Sequence, residues 1–426
     1  MPHGFNKWIS IFSGKAFHRK IGSRIKNHPE GCIMVQGKDI ILISNQMLDD
    51  RYWTSKQYIT MELIKNNRVL YVEANYSFGK LCSGMMGKKW PVVPFGRLQD
   101  VTDNLYVLTP YPRLPYRNHF QWVGWLNQKL LLAKIRRATK KLNFKRPILW
   151  TFLHQTTDLI GKLDESVAIY HCVDDWPALL PMAGMGKSDR IRKDEKKLIS
   201  CVDVVFRVSA KLLGYFKIPK TKVFDISNGV DIDLFNPERY SNESLQDDIK
   251  DLPRPIIGFS GSIGKWIDIE LLIRVSKRYE KVSIVIIGLN EKNPNIHKLQ
   301  HLKNVHFLGM KSREEVPQYI SGFDVCLMPF NRTEVGKGLL PLKMFEYLAL
   351  GKPVVATSSE VLEQFEEVLY LADDNDAFVQ EIDNAMVDHD RKNLVSRREW
   401  ALKYSWKNRV SEYLNVIQRS INNKMG

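Results

Sequence analysis

Short apolar runs alternate with helix-like segments along most of the chain, and this alternation limits the folds that are open to it. In the first half, the runs 39–46 and 68–74 are separated by a helix-like stretch at 55–65. A strand, a helix and a second strand in that order form the unit of a parallel sheet. The remaining strand candidates of this half lie at 104–110, 147–152, 166–173 and 203–209, and 222–230 closes it.

A second set of such units follows a break in the pattern. Residues 236–255 are polar, acidic and punctuated by proline, which is typical of a linker. Because 426 residues are too many for one comfortable core, we predict an α/β protein with two doubly wound, Rossmann-like domains. The expected domains are 1–236 and 255–402, joined by a linker at 237–254. The strand candidates of the second domain lie at 255–264, 282–288, 304–309, 324–330 and 353–357.

The net charge of +16 favours an anionic partner. Segment 119–142 places Trp122 and Trp125 before a strongly basic end at 134–145. A helix of this kind suits the surface of an anionic membrane, although a core helix with a solvated basic face explains the pattern equally well. RNA binding fits less well, because the sequence shows neither an RRM-type aromatic motif nor a KH-type loop in its proper context. We expect no nucleic-acid partner.

Composition also indicates the compartment. The sequence contains no run of about 18 apolar residues and no secretory signal pattern at its start, so we expect neither a membrane-spanning helix nor a leader. Its five cysteines are scattered without CxxC spacing, which favours reduced thiols and argues against a zinc site. The expected location is the cytoplasm, peripheral to the inner face of the cell membrane.

A glycine-rich stretch, GFSGSIG at 258–264, is expected to follow a strand and open a helix. Gly261, Ser262 and Gly264 would let the backbone approach a phosphate, and Lys265 adds a positive charge. The alternative is purely structural, because a tight turn from strand to helix needs glycine without any ligand.

The stretch PLKMFEYLALGKPVVAT at 341–357 predicts a helix, a glycine stop and a buried strand. Lys343 lies in the first turn beside the free backbone N–H groups, where a diphosphate would find donors and positive charge. Glu346 shares a face with Lys343, and its carboxylate suits the two hydroxyls of a ribose. The alternative is an intrahelical ion pair, worth a few tenths of a kcal/mol on an exposed face.

Several stretches together carry a family resemblance. They are IYHCVDDW, SNGVDIDLFNP, GFSGSIG, VHFLGMKSREEVPQYISGFDVCLMPF and PLKMFEYLALGKPVVAT. The sequence resembles the GT-B glycosyltransferases of the large family 4 type, and among them bacterial exopolysaccharide transferases such as the teichuronic acid transferases and the xanthan glucuronosyltransferase. The resemblance covers most of the chain. It implies two facing domains, with the acceptor on the first, and a closing helix at 403–426 that packs back on that domain.

The resemblance also assigns roles to residues of the second domain, which would hold the nucleotide-sugar donor. Glu346 matches the glutamate that binds the ribose, and Lys343 matches a lysine placed to meet the diphosphate. Leu342 begins the same helix and is included among the donor-binding residues. Gly309 and Met310 match the point where the base is read. The loop at 334–338 would lie near the sugar.

Two departures from the family pattern bear on stereochemistry. Retaining enzymes of family 4 carry a second glutamate eight residues before the ribose-binding one, and here that position is Gly338. The Arg and Lys pair that usually follows the first glycine turn is represented only by Lys265. We therefore predict transfer with inversion.

An inverting transfer needs a base that takes the proton of the acceptor hydroxyl. Asp174 and Asp175 follow an apolar strand, where the ligand-binding edge of a parallel sheet is expected, and Asp174 is the first choice. Either residue is equally explained as a cap of the next helix. His154 also follows a strand, and Asp49 with Asp50 occupies the first loop. As in GT-B enzymes generally, we expect no metal or other cofactor.

The predicted function is transfer of a sugar from a nucleotide diphosphate donor, UDP-linked in our reading, to a lipid-linked or glycan acceptor in cell-surface polysaccharide synthesis. The alternatives are a sugar-nucleotide epimerase or hydrolase of GT-B fold, and a non-catalytic basic protein that binds RNA or membranes.

Overall fold

The structure is a computed structural model of the whole chain, and its first half is built on an eight-stranded sheet. It describes residues 35–50, 52–74, 96–114, 121–182, 184, 186–240, 245–290, 293–333, 338–388 and 391–425. The strands of the first sheet are β1 (Asp39–Ile43), β2 (Arg68–Val72), β3 (Arg97–Thr102), β4 (Leu105–Thr109), β5 (Ile148–Thr151), β6 (Val167–Cys172), β7 (Val204–Arg207) and β8 (Val223–Asp225). Its helices are α1 (Ser55–Leu63), α2 (Gln121–Lys141), α3 (Trp176–Met182) and α4 (Ser188–Cys201), with a 3-10 turn at Thr157–Leu159.

The first sheet has the order β3-β4-β2-β1-β5-β6-β7-β8. Its strands are parallel except for the pairing of β3 with β4. Successive side chains point to opposite faces, so Ile40 and Leu42 pack against α1, whereas Ile41 and Ile43 pack against α2. Helices on both faces bury the sheet, which explains why its central strands read as continuous apolar runs.

The second half is a six-stranded sheet of order β11-β10-β9-β12-β13-β14, all of whose pairings are parallel. Its strands are β9 (Ile256–Ser260), β10 (Ser283–Ile287), β11 (Val305–Gly309), β12 (Val325–Met328), β13 (Val354–Thr357) and β14 (Tyr370–Ala372). Before it come a 3-10 turn at Pro237–Arg239 and the short helix α5 (Asp247–Lys250). The helices that follow are α6 (Ile269–Arg278), α7 (His297–Gln300), α8 (Val316–Ser321), α9 (Leu342–Ala349), α10 (Glu360–Glu363), α11 (Asn375–Met386), α12 (Arg391–Lys403) and α13 (Trp406–Met425).

The last helix returns to the first half of the chain. Trp406 N–H donates to the carbonyl of Val230 at 3.1 Å, so α13 begins at the segment where the chain leaves the first sheet. From there Tyr413, Leu414 and Ile417 are buried in the core that contains α1. The connection holds the two halves together at one side of the space between them. The domain limits set out above stay a prediction.

One strand of the first sheet was not predicted from the sequence. Strand β3 is antiparallel, and its residues are polar and half-exposed, so they form no apolar run that would predict a strand.

Within the described residues, no helix is long and apolar enough to cross a membrane.

Candidate active site

Helix α9 carries the two residues that motivated the donor site, and buried contacts fix its position. Met344, Phe345 and Tyr347 are buried in the core of the second half. The Tyr347 hydroxyl accepts from the Ser260 N–H at 2.7 Å, which ties α9 to the end of β9. Pro341 is the N-cap rather than the first helical residue, and Leu342 packs against the core of the first half. The N-terminus of α9 therefore lies at the boundary between the two halves.

Lys343 and Glu346 form an ion pair on α9, and burial distinguishes it from an ordinary surface pair. Lys343 Nζ lies 2.7 Å from Glu346 Oε2, and the two side chains are 27% and 7% exposed. Among the described residues, the other carboxylate oxygen of Glu346 accepts no hydrogen bond. A buried acceptor with spare capacity at a domain boundary is suited to a ligand hydroxyl.

The glycine-rich loop after β9 does not open a helix, so that part of the sequence prediction is wrong. Helix α6 begins only at Ile269, because the Asp268 carboxylate caps it by accepting from the Leu271 N–H at 2.9 Å. Lys265 Nζ instead donates to the carbonyl of Met182 in the first half at 3.4 Å. Gly261, Ser262 and Gly264 thus offer loop backbone, not a helix N-terminus, at the boundary.

A close backbone approach fixes the position of this loop. Gly288 ends β10 with φ +143°, and a Cβ atom placed on it would lie 1.9 Å from the carbonyl oxygen of Gly261. Only glycine fits there. Gly309 ends the next strand with φ +68°, and its carbonyl accepts from the Gly288 N–H at 2.9 Å. Met310 follows with a side chain that is 38% exposed, beside the strand ends.

Asp174 follows β6 and faces a buried lysine of α1. Burial raises the pKa of Asp174, Lys56 opposes that rise, and Asp175 adds to it. Lys56 is 4% exposed, and burial lowers its pKa while Asp174 acts against the change. A carboxylate with a raised pKa is a stronger base than an ordinary aspartate, which suits it to accept a proton from an acceptor hydroxyl.

Asp175 caps helix α3, a role that the sequence allowed for either aspartate. Its Oδ1 accepts from the Ala178 N–H at 3.1 Å, at the start of α3. That contact is an N-terminal cap. Asp174 is therefore the better candidate for the base.

The other acidic and histidine candidates follow β1 and β5. His154 is 5% exposed, and its Nε2 lies 2.8 Å from the Gln155 amide nitrogen. Asp50 Oδ2 accepts from the Met47 N–H at 3.1 Å within the first loop, whereas Asp49 is exposed. Of the loop expected near the sugar, residues 334–337 lie outside the described residues.

Sequence reasoning missed a cation that joins the halves. Arg313 follows β11 and forms an ion pair with Asp231, and its side chain is 8% exposed. Its guanidinium also lies 4.2 Å from the ring centroid of Trp53 and 5.1 Å from that of Tyr58. The strand-end rule points to the segment after β11, but nothing in the local sequence predicts partners from the other half.

Tyr58, on α1, interacts electrostatically with Glu346 of the proposed donor site. Burial raises the pKa of the Tyr58 hydroxyl, Arg313 opposes that rise, and the negative charge of Glu346 adds to it. Because Lys56 on the same helix interacts with Asp174, one turn of α1 lies within electrostatic range of both carboxylates. The described residues contain no cluster of three or more side chains that could hold a metal ion.

One segment of the chain matches a known protein family. Residues 254–388, which include α9 and the glycine-rich loop, match the family Glycosyl transferases group 1. This segment contains every donor-side residue predicted from the sequence, from Gly261 to Glu346.

Two curated relatives match the chain over less than half its length. TuaH of Bacillus subtilis, whose name describes a teichuronic acid biosynthesis glycosyltransferase, is 26% identical over 206 residues, or 45% of this chain and 50% of TuaH. The sulfoquinovosyl transferase SQD2 of Arabidopsis thaliana is 23% identical over 201 residues, or 44% of this chain and 38% of SQD2. The chain thus spans half or less of the length of these relatives.

Solved structures match almost the whole chain. Sucrose-phosphate synthase from Thermosynechococcus elongatus superposes with a TM-score of 0.67 at 15% identity, covering 91% of this chain and 100% of that one. Anabaena HepE in complex with UDP gives a TM-score of 0.61 at 14% identity, covering 90% and 100%. The predicted fold is confirmed: the chain has the two-sheet α/β architecture of GT-B structures, and the segment that matches the group 1 family lies in its second half.

Proposed function

We propose that the protein is a glycosyltransferase that moves a sugar from a UDP-linked donor to a lipid-linked or glycan acceptor in cell-surface polysaccharide synthesis. Glu346 would bind the ribose hydroxyls, and Lys343 with the N-terminus of α9 would hold the diphosphate. Gly309 and Met310 would meet the base, and the glycine-rich loop with Lys265 would lie along the phosphates. The protein would act in the cytoplasm, peripheral on the inner face of the cell membrane.

The observation that supports the proposal most is the position of α1. Tyr58 on this helix experiences the charge of Glu346, and Lys56, half a turn away, experiences the charge of Asp174. A donor group and a candidate base are thus gathered around one helix at the boundary of the halves. The name of TuaH supports a cell-surface polysaccharide, and the HepE complexes with UDP and UDP-glucose support the donor class.

In the proposed reaction, Asp174 removes the proton of the acceptor hydroxyl as its oxygen attacks the anomeric carbon. The bond from that carbon to the diphosphate oxygen breaks, and UDP leaves with the bonding electron pair. Lys343 and the N-terminal N–H groups of α9 stabilise the charge that develops on the leaving oxygen. Attack opposite to the leaving group inverts the anomeric centre. Gly338 supports inversion, because no carboxylate stands where retaining relatives carry one.

The test is release of UDP from UDP-sugars with and without an extract of lipid-linked acceptors. We expect release to depend on the acceptor and the product to have the inverted anomeric configuration by NMR. Asp174→Asn should lower kcat by about 100-fold or more. Asp175→Asn should stay active, since asparagine caps a helix as well as aspartate does. Equal release without acceptor would identify a hydrolase instead, and a retained configuration would refute the role of Asp174.

A further inference from the structure

A cavity in the first half lies beside the proposed site but includes none of its residues. It has a volume of about 80 Å³, is open to solvent, and lies at the carboxyl ends of β1, β2 and β5. That space is large enough for several water molecules. The inner face of α2 covers it with Gly124, Asn127, Gln128 and Leu131.

One cation, Arg113, lies in the wall of this cavity. Burial lowers the pKa of the Arg113 guanidinium, and within the described part of the chain no carboxylate pairs with it. Glu73 also lines the cavity, but its two oxygens accept from the Leu48 N–H at 3.0 Å and the Thr109 hydroxyl at 2.7 Å. A half-buried guanidinium is costly unless something offsets its desolvation.

Two amide oxygens of the same wall accept no hydrogen bond from the residues that the structure describes. Asn45 Oδ1 and Gln128 Oε1 are both buried without a hydrogen bond. Buried polar atoms are normally paired, so each such atom calls for a physical explanation. Asn127 by contrast is fully engaged: its side chain accepts from the Leu114 N–H at 2.8 Å and donates to the Leu114 carbonyl at 3.3 Å. These two bonds fix the segment that carries Arg113.

We propose that this cavity binds an acidic sugar unit of the acceptor, with Arg113 pairing its phosphate or carboxylate and Asn45 and Gln128 bonding its hydroxyls. The inference deepens the proposed function, because it names the chemical class of the acceptor. Guanidinium groups form forked hydrogen bonds with both kinds of anion.

The location suits an acceptor bound between a membrane and the base. The cavity borders β5, whose neighbour β6 leads to Asp174, so one or two strand spacings of about 5 Å each separate them. That span is close to the length of one sugar unit. On the outer side of α2, Trp122 and Trp125 are 63% and 54% exposed. An anionic group near a lipid anchor would therefore enter beneath this helix.

The test uses glucose 1-phosphate, glucuronate and neutral methyl glucoside as probes of the full chain. Binding is measured by ligand-observed NMR, both in the wild type and in a Lys343→Ala background that removes the cation of the donor site. We expect the two acidic probes to bind at least tenfold more tightly than methyl glucoside in both backgrounds. A preference for glucose 1-phosphate identifies a phosphate-bearing acceptor, and a preference for glucuronate a uronic acid. Equal binding of all three probes, or loss of the preference in Lys343→Ala, would overturn the proposal.

Arg113→Met separates a binding role from a structural one. The variant should abolish the preference for acidic probes, yet its unfolding temperature without ligand should equal or exceed that of the wild type, because no native ion pair is lost. Arg419→Met, on the exposed side of α13, is the matched control and should change neither property. A destabilised Arg113→Met chain that keeps the preference would show that Arg113 is structural. The binding readout needs no donor turnover, so failure of the proposed transferase activity would be seen separately.

Discussion

Glu73 and Glu195 are two buried carboxylates of the first half that lie outside the proposed catalytic pair. Burial raises the pKa of each to about 7, although both accept hydrogen bonds that act against the rise. Glu195 accepts from the Tyr170 and Tyr215 hydroxyls at 2.8 and 2.6 Å. Each carboxyl group is neutral in the folded state at a pH where it is already ionised in the unfolded chain.

This shift predicts a pH dependence of stability. Below about pH 4.5, the ordinary pKa of Glu73, the carboxyl group is neutral in both states and folding carries no cost of ionisation. As the pH rises through 7, the free energy of unfolding should fall, because the unfolded chain binds fewer protons. Glu73→Gln removes this titration. Between pH 5 and pH 8 the stability of the wild type should fall relative to Glu73→Gln by about 2 kcal/mol in urea unfolding.

A control at the C-terminal end of α1 makes this result specific. Glu62→Gln changes a half-buried i,i+3 pair with Lys65 and should follow the wild type across the same range. Glu195 is present in all three chains, so its contribution cancels in the differences. Parallel pH profiles of the wild type and Glu73→Gln would contradict the account of Glu73.

Helix α2 packs into the core on one face and exposes aromatic and basic residues on the other. Its inner residues Leu131, Leu132 and Ile135 are core residues, which satisfies the structural alternative. Its outer face nevertheless exposes Trp122 and Trp125, and Lys129 Nζ lies 5.3 Å from the centre of the Trp125 ring. Aromatic rings flanked by cations are typical of a helix at a membrane surface.

Membrane association by α2 predicts that two kinds of change weaken vesicle binding. Trp122→Ala with Trp125→Ala removes the apolar contact, and neutralising four cations of the helix removes the electrostatic one. The four are Arg136, Arg137, Lys140 and Lys141. Each change should lower the binding of vesicles rich in anionic lipid at least tenfold by sedimentation, since each cation near the surface contributes about 1 kcal/mol.

The matched control neutralises four cations of the second half and should leave sedimentation nearly unchanged. Those residues are Lys277, Arg278, Lys281 and Lys303. If both sets of four lower vesicle binding equally, net charge rather than α2 is responsible.

At the scale of the whole molecule, Arg313 couples the two halves through buried contacts. It is buried against Trp53 and Tyr58, and Tyr58 stacks in turn on Trp406 at a centroid distance of 5.3 Å. Arg313 thus reaches the same helix, α1, that lies between the two proposed carboxylates. A donor group and an acceptor group can be held at a fixed separation in this way.

Arg313→Ala should therefore loosen the halves, because it removes the buried ion pair with Asp231. We expect a loss of about 3 kcal/mol in the free energy of unfolding, as for other broken buried pairs, and faster proteolysis between the domains. Arg274→Ala is the control, because its ion pair with Asp376 is exposed and lies within one half. Equal, small effects of the two substitutions would show that Arg313 does not couple the halves.

Burial determined which of these features the sequence could reveal. The central strands were predictable because helices cover both faces and leave continuous apolar runs, whereas β3 is half-exposed and carries no such pattern. The Lys343–Glu346 pair on α9 was predicted because a helix start and a three-residue spacing can be recognised from a few neighbouring residues in the sequence. Asp174 and Asp175 could not be separated, since only the path of the chain into α3 shows which of them caps it. Arg313 was not predicted as a functional residue, because its partner Tyr58 lies 255 positions away in the sequence.

The central claim is that α9 holds a nucleotide diphosphate through Lys343 and Glu346, and calorimetric titration with UDP tests it most directly. The account predicts that the wild type binds UDP and that Glu346→Ala and Lys343→Ala each lose about tenfold or more in affinity, as for charged hydrogen bonds. Glu62→Ala, which breaks an ion pair of the same i,i+3 spacing on α1, should bind UDP as the wild type does. Unchanged affinity in both α9 variants would contradict the account.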